Sequence, residues 1–300
     1  MRPPALPLAL AASLLCAPSA FALSEFGIEG IMGVVSTKAD ETRASVSADE
    51  QRIVWASPDR TGEPGGGDLC QATLRDGRWA DPQPLPAPLN PPSAETAPFF
   101  SADGHRLYFA SDRAGGHGGN ALYRAALLAD SRYGPPQNLG AAVNSRGGER
   151  APTLSLDATR LLFVSDGHGG ASGLDLFVAR LQGQVFGQRQ ALDAVNSADD
   201  ETDAAWLGDG RALLFARARK VQGTQLLLAQ CGDGRYLQPP PLALSFNSAD
   251  GDTRGAVLDM SKPTELLLDG SARAPKAVQR DACRMKAPVA SGSGDCAGVR

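Results

Sequence analysis

Five acidic residues head five similar segments of the chain: Glu41, Glu95, Glu149, Glu201 and Asp252, at spacings of 54, 54, 52 and 51 residues. Brought to one end of a common axis, five carboxylates could hold Ca²⁺ or Mg²⁺, because hard cations take oxygen ligands and relieve the repulsion of like charges. Alternatively, each caps backbone amides or meets an Arg beside it. A residue that recurs in every unit serves the unit, so the second role is favoured. No cofactor is expected, and a structural Ca²⁺ at this ring is the one exception the sequence leaves open.

Other chemistry is sparse. The three histidines are His105, His117 and His168. Asp166 and Asp175 lie near His168, yet no spacing typical of zinc ligands appears. The Gly-rich stretches Gly115–Gly119 and Gly167–Gly173 lack the strand–loop–helix setting of a phosphate loop and the tandem spacing of calcium nonapeptides. There is no G-x-S-x-G elbow. A glycosidase would need two carboxylates in different roles on different strands. The acids that align here are mostly symmetric; Asp199, Asp200 and Asp203 around Glu201 are the main local excess, and a solvated turn explains them equally well. In the sialidase-type box, S-x-D-x-G, one residue separates Asp from Gly, whereas Gly104 follows Asp103 directly. No catalytic residue is assigned. A lectin would need aromatic platforms, for which only Trp79 and Trp206 stand outside the repeat.

The elements that must position these residues are strands. In the second unit Glu95–Phe100 reads as a first strand, Ser101–Gly104 as a tight turn, and Arg106–Ala110 as an apolar second strand. Asp and Gly suit that turn, since Asp bonds its local backbone and Gly accepts positive φ. A Gly-rich loop, a third strand at Ala121–Ala125 and an outer strand around Gln137–Leu139 complete the unit. Asp49, Asp103, Asp157 and Asp209 occupy the turn, with Ser261 in the fifth copy. Trp55, Phe109, Phe163, Phe215 and Leu267 share one apolar position, and Asp68, Asp175 and Asp281 open third strands. Four short strands in a unit of about 50 residues predict a β-propeller. Phe26–Val35 matches the outer-strand segment Gly134–Val143, so it is expected to pair onto the last unit. Five four-stranded blades then close with no exposed edge; six blades, one degenerate, is the alternative.

The stretches "SADGHRLYFASDRAGGHGGNALY" and "SLDATRLLFVSDGHGGASGLDLF" resemble the TolB-type (WD40-like) propeller repeat of exported bacterial proteins. The resemblance is carried mainly by units two and three. It implies a β-propeller in the periplasm or cell envelope that works through protein–protein contacts.

Met1–Ala22 reads as a signal peptide, with Arg2, an apolar run from Ala5 to Cys16 and an A-x-A-like site at Ala20–Ala22. Leu15 before Cys16 argues against lipoprotein processing. The propeller is assigned to residues 23–286, and the Ser/Gly-rich residues 287–300 to a disordered tail. The net charge is −4 and no block of Lys and Arg occurs, which excludes nucleic acid and anionic lipid as expected partners. No later segment spans a membrane. Cys70, Cys231, Cys283 and Cys296 permit two disulfides in three connectivities, and the short loop favours Cys283–Cys296.

The expectation is a non-catalytic, monomeric, extracytoplasmic scaffold that binds another envelope protein or an envelope polymer, with a carbohydrate-active propeller as the alternative. Its contact surface is placed on the rim loops Arg113–Asn120, Gly167–Leu174 and Arg217–Thr224. The named candidates there are Arg113, His117, Asn120, His168, Asp175, Arg217 and Lys220.

Overall fold

Short apolar runs broken by Asp-centred turns fold, unit by unit, into antiparallel meanders. The computed structural model describes residues 40–58, 67–171, 173–237, 239–244, 246–270, 281–294 and 296. Blade 1 is β1 (Thr42–Val46), β2 (Arg52–Ser57), β3 (Asp68–Arg75) and β4 (Arg78–Pro84). Blade 2 is β5 (Glu95–Phe100), β6 (Arg106–Ser111), β7 (Ala121–Ala126) and β8 (Gln137–Asn138). Blade 3 is β9 (Glu149–Leu154), β10 (Arg160–Ser165), β11 (Asp175–Gln182) and β12 (Val185–Ala191). Blade 4 is β13 (Asp200–Leu207), β14 (Ala212–Ala218), β15 (Thr224–Gly232) and β16 (Arg235–Tyr236). Blade 5 shows β17 (Thr253–Leu258), β18 (Glu265–Gly270) and β19 (Asp281–Lys286).

The first strands pack around one axis. β1 touches β5, β5 touches β9, β9 touches β13, β13 touches β17, and β17 returns to β1. The fold is therefore an all-β, five-bladed β-propeller. The expected closing strand at 26–35 and the signal sequence at 1–22 lie outside the described residues.

Second strands are covered on both faces by neighbouring blades, which is why they read as unbroken apolar runs. Trp55, Phe109, Phe163 and Phe215 are all buried there, each contributing about 1.5–3 kcal/mol of burial. The Asp turns form as their chemistry requires. Ser47, Ser101 and Ser155 hydroxyls donate to Asp49, Asp103 and Asp157 at 2.5 Å. In the fifth copy the partners trade places, and Ser261 donates to Asp259 at 2.5 Å.

The fifth unit corrects the sequence alignment by one residue. Glu95 pairs with Ser111, Glu149 with Ser165 and Glu201 with Arg217, whereas Thr253 pairs with Gly270. Thr253, not Asp252, therefore holds the acid position, and Leu268 rather than Leu267 takes that of Phe109. One extra residue in the turn between Asp259 and Glu265, where Ser101 and Arg106 bound the turn of blade 2, moves Leu267 to Leu268, while at the strand start Asp252 is an acid lying one residue before the position.

The tail is also ordered where it is described. Residues 289–293 lie along blade 4: Ser293 N–H donates to the Cys231 carbonyl at 2.9 Å, and Ser291 and Gly292 N–H both donate to Gln230 Oε1 at 3.0 Å. Gly292 is required by space, since a Cβ there would stand 2.1 Å from the Arg211 carbonyl oxygen. This path carries Cys296 to Cys231, with which it forms the disulfide, instead of to Cys283. Cys283 and Cys70 are buried within third strands. A pairing chosen by shortness of loop failed because the chain doubles back onto the preceding blade.

Candidate functional site

The acid ring sits at the start of the first strands, and its glutamates are buried. Glu95 Oε1 accepts hydrogen bonds from Ser93 Oγ at 2.6 Å and Ser111 Oγ at 2.7 Å, and lies 3.3 Å from Arg113 Nη2. Glu149 accepts from Ser145 N–H at 2.9 Å and from the hydroxyls of Ser145 and Ser165 at 2.5 and 2.8 Å. Its Oε1 is 3.5 Å from His168 Nε2. Glu201 accepts from Ser197 N–H at 3.0 Å, Ser197 Oγ at 2.8 Å and Arg217 Nε at 2.7 Å. Each of these three acids is thus held within its own blade and the linker before it. Asp252 is half-exposed and paired with Arg254. Among the described residues no three His, Cys, Asp or Glu side chains gather closely enough to hold a metal ion.

A second repeated element escaped the sequence reading. Asn90, Asn144, Asn196 and Asn247 stand in the linkers before the acid position. Each accepts from the N–H of a third-strand residue in the preceding blade and donates back to its carbonyl. The residues bracketed in this way are Leu69, Leu122, Leu176 and Leu226, at 2.7–3.1 Å. The residue before each Asn is apolar, and its carbonyl receives the basic side chain paired with the acid. Arg113 Nη2 reaches Leu89 O at 2.8 Å, His168 Nε2 reaches Val143 O at 2.6 Å, and Arg217 Nη2 reaches Val195 O at 2.6 Å. In blade 5 one hydroxyl replaces the pair, with Thr253 Oγ1 donating to Phe246 O at 3.1 Å. The sequence signal was an apolar residue followed by Asn, recurring as Leu-Asn, Val-Asn, Val-Asn and Phe-Asn.

Arg113, His168, Arg217 and Asp175 were expected on a contact rim. The structure corrects this. Arg217 and Asp175 are buried, and the Arg113 and His168 side chains are 13% and 2% exposed. Arg113 stacks over Phe109 and Tyr123, and His168 meets Phe163 and Phe177 edge-on. Arg113, His168 and Arg217 were mistaken for surface because each has a buried acceptor that the sequence does not display. His117 and Lys220 are exposed and Asn120 is half-buried. Trp206 is buried beneath Arg160, and Trp79 packs against the core, so neither is a free platform.

Burial pushes the Glu95 and Glu201 carboxyls above their ordinary value of 4.5, outweighing the serine hydroxyls and guanidinium groups that favour the ionised form. The turn acids move the other way. Burial also raises Asp49, Asp103 and Asp157, but the serine hydroxyls, turn N–H groups and nearby Arg side chains together hold them below 3.8.

Two residues further along the first strands the symmetry breaks. Each first strand carries a β-bulge near there: Arg43, Ala97, Ala151 and Gly255 lie in it, and Asp203 follows it, paired with Ala216. Arg43 Nη1 forms an ion pair with Asp203, two blades away, so its head lies on the propeller axis. Arg43 N–H donates to Asp269 Oδ2 at 2.8 Å. Asp269 stands where the other blades carry Ala56, Ala110, Val164 and Ala216. Asp203 is therefore a buried axial residue, not part of a solvated turn.

No family model matches the sequence, and no curated protein matches it. Solved structures do. TolB from Acinetobacter baumannii aligns with a TM-score of 0.51 at 17% identity, covering 74% of this chain and 47% of that one. A putative TolB from Agrobacterium tumefaciens aligns at 0.52 and 13% identity, covering 86% and 80%. An endo-arabinase from Bacteroides thetaiotaomicron VPI-5482 aligns at 0.58 and 14% identity, covering 87% and 98%. The chain spans about half the length of the first of these. At such identities the likeness is one of fold: a β-propeller of the kind shared by TolB-like proteins and by hydrolases.

Proposed function

We propose that the chain is a non-catalytic, extracytoplasmic propeller scaffold that presents a rim to another envelope protein or an envelope polymer. The observation that carries this reading is the engagement of the repeated acids. Glu95, Glu149 and Glu201 are each held by serines and by a basic side chain of their own blade, the engagement expected of groups that fasten a blade. The Cys231–Cys296 disulfide supports an oxidising compartment, where such bonds persist. No helix among the described residues is long and apolar enough to cross a membrane.

A carbohydrate-active propeller is the second reading, favoured by the meeting of Asp203 and Asp269 at the axis. Glycoside hydrolysis needs two carboxylates flanking a bond of the substrate. Asp203 is ion-paired and its side chain is 6% exposed, so a polymer chain cannot lie against it.

The exposed rim residues His117 and Lys220 test the scaffold reading. Deleting Gly115–Gly119 would confuse binding with folding, because Gly119 N–H bonds Gly147 O at 3.0 Å and a Cβ on Gly118 would stand 2.1 Å from Arg146 O. Instead, H117A/K220A should abolish capture of the partner retained by the intact chain from envelope extract, without lowering the melting temperature. Capture at full strength by that variant would place the contact surface elsewhere. Release of reducing sugar from arabinan or xylan would favour the second reading.

A further inference from the structure

On the face opposite the acid mouth, blade 2 departs from the repeat. Blades 1, 3 and 4 join their third and fourth strands by the tight turns Asp76-Gly77, Gly183-Gln184 and Asp233-Gly234, whereas blade 2 inserts the whole of 127–136. Within this hairpin Leu127 N–H donates to His105 O and Leu128 N–H to Arg132 O, both at 2.8 Å. It leans onto blade 1, where Arg52 Nη2 donates to Ser131 Oγ at 2.6 Å and the buried Tyr133 donates its hydroxyl to Gln71 Oε1 at 3.4 Å. Between the hairpin and the Asp turns of blades 1 and 2 opens a cleft of about 640 Å³, whose lining includes Asp49, Arg52, Asp103, His105, Leu127 and Leu128. That volume lies within the range of small-molecule sites.

The lining carries both signs of charge. Asp49 and Asp103 use Oδ1 in their own turns, accepting from Ser47 Oγ and Gln51 N–H and from Ser101 Oγ and His105 N–H. Among the described residues Asp49 Oδ2 accepts no hydrogen bond, and Asp103 Oδ2 meets Arg106 Nη1 at 3.3 Å. Both carboxyls are held below 3.8 and are ionised at neutral pH. Arg52 stands close enough to Asp49 to favour its ionised form, and the bond to Ser131 leaves most of the guanidinium donors for a ligand. We propose that this cleft binds a basic α-amino acid, free or as part of a short peptide. Two carboxylates repel a simple anion, and the guanidinium repels a simple cation. A ligand with two ammonium groups and one carboxylate meets the lining sign for sign, the ammonium groups on Asp49 and Asp103 and the carboxylate on Arg52. Its methylene stem covers Leu128, which is 42% exposed, as long basic side chains do on apolar surface. The volume leaves room for a neighbouring residue of a peptide. Because the ligand bridges turns of two blades, binding would tie blade 1 to blade 2 by mass action. His117 and Lys220 lie at the mouth end of the blades, so this site is independent of partner capture there.

The test is titration of the full chain with L-lysine, glycyl-L-lysine, L-norleucine, cadaverine and L-glutamate, read by calorimetry and by the His105 ring resonance. L-lysine or its dipeptide should bind saturably and shift that resonance in the unmodified protein, and the tighter of the two tells the free amino acid from the peptide. L-norleucine lacks the second ammonium and cadaverine lacks the carboxylate. Each should bind about tenfold or more weakly, the loss of one charge-assisted hydrogen bond. D49N and R52M should weaken L-lysine binding by a similar factor, about tenfold. The ligand series on the unmodified protein decides the matter even where a variant does not fold. Three results would each overturn the site: no saturable response to L-lysine or glycyl-L-lysine; binding of L-norleucine, cadaverine or L-glutamate as tight as that of L-lysine; or undiminished L-lysine binding by folded D49N or R52M.

Discussion

The propeller mouth and the layer just inside it use the same kinds of side chain to opposite ends. At the mouth, Glu95, Glu149 and Glu201 repeat a single wiring scheme: acid to serine, acid to cation, cation to linker carbonyl, linker Asn to the preceding blade. Two residues inward, Arg43, Asp203 and Asp269 come from three blades, obey no repeat, and leave one guanidinium edge without an acceptor among the described residues. Repetition marks groups that hold blades together. Departure from repetition marks groups that tie particular blades to one another across the axis.

The largest expected effect lies at the mouth. Glu201→Ala leaves Arg217 buried without its partner, so stability should fall by about 3–5 kcal/mol in denaturant titration. A loss below ~1 kcal/mol would mean the pin is decorative. The covalent clasp comes next. Cys231→Ser removes a bridge across 65 residues of sequence, and thermal melts should show a loss of about 2–4 kcal/mol. Added reductant should lower the wild-type melting temperature and leave the variant unchanged. Asn144→Ala abandons the Leu122 N–H and carbonyl together, a cost of about 1–3 kcal/mol. Faster hydrogen exchange should be confined to the junction of blades 2 and 3.

The smallest effect is on pH dependence, and the two classes of acid should separate there. Glu95 and Glu201 have raised pKa values, so their contribution to stability is full below 4.5 and is lost as pH rises through their elevated folded values. Asp49, Asp103 and Asp157 have lowered values, so theirs is present above 3.8 and lost as pH falls below it. Denaturation midpoints should therefore rise on mild acidification from neutrality and collapse below 3.8. Glu95→Gln should flatten the rise, and Asp103→Asn should soften the collapse. A midpoint that falls steadily from pH 7 would contradict the raised values.

The architecture was legible because strand period, turn chemistry and unit length all repeat: the blade boundaries at Glu95 and Glu149 and the third strands opening at Asp68 and Asp175 are where the pattern places them. The pins were half legible. The acids were visible, but their partners Arg113, His168 and Arg217 lie in loops or at strand ends, where a polar residue and a surface residue look alike. The Asn brackets were present as a recurring pair of letters with no chemistry to flag them. The axial cluster was hidden most deeply. Arg43 and Asp203 lie 160 residues apart, and only the bulges, which shift register by one residue, turn them toward the same axis. In blade 5 one residue added to a turn slips the comparison beyond it, at Leu267 and Leu268, and an acid beside the true position drew the comparison to Asp252.

The central claim is that the repeated acids are pins and not a catalytic or metal-binding ring. A double-mutant cycle on Glu201 and Arg217 tests it most directly, with Glu201→Gln, Arg217→Met and the double variant measured by equilibrium unfolding. The account predicts a coupling energy of at least ~1.5 kcal/mol, within the range seen for groups in one buried network. Additivity within about 0.5 kcal/mol, the behaviour of independent sites, would contradict it.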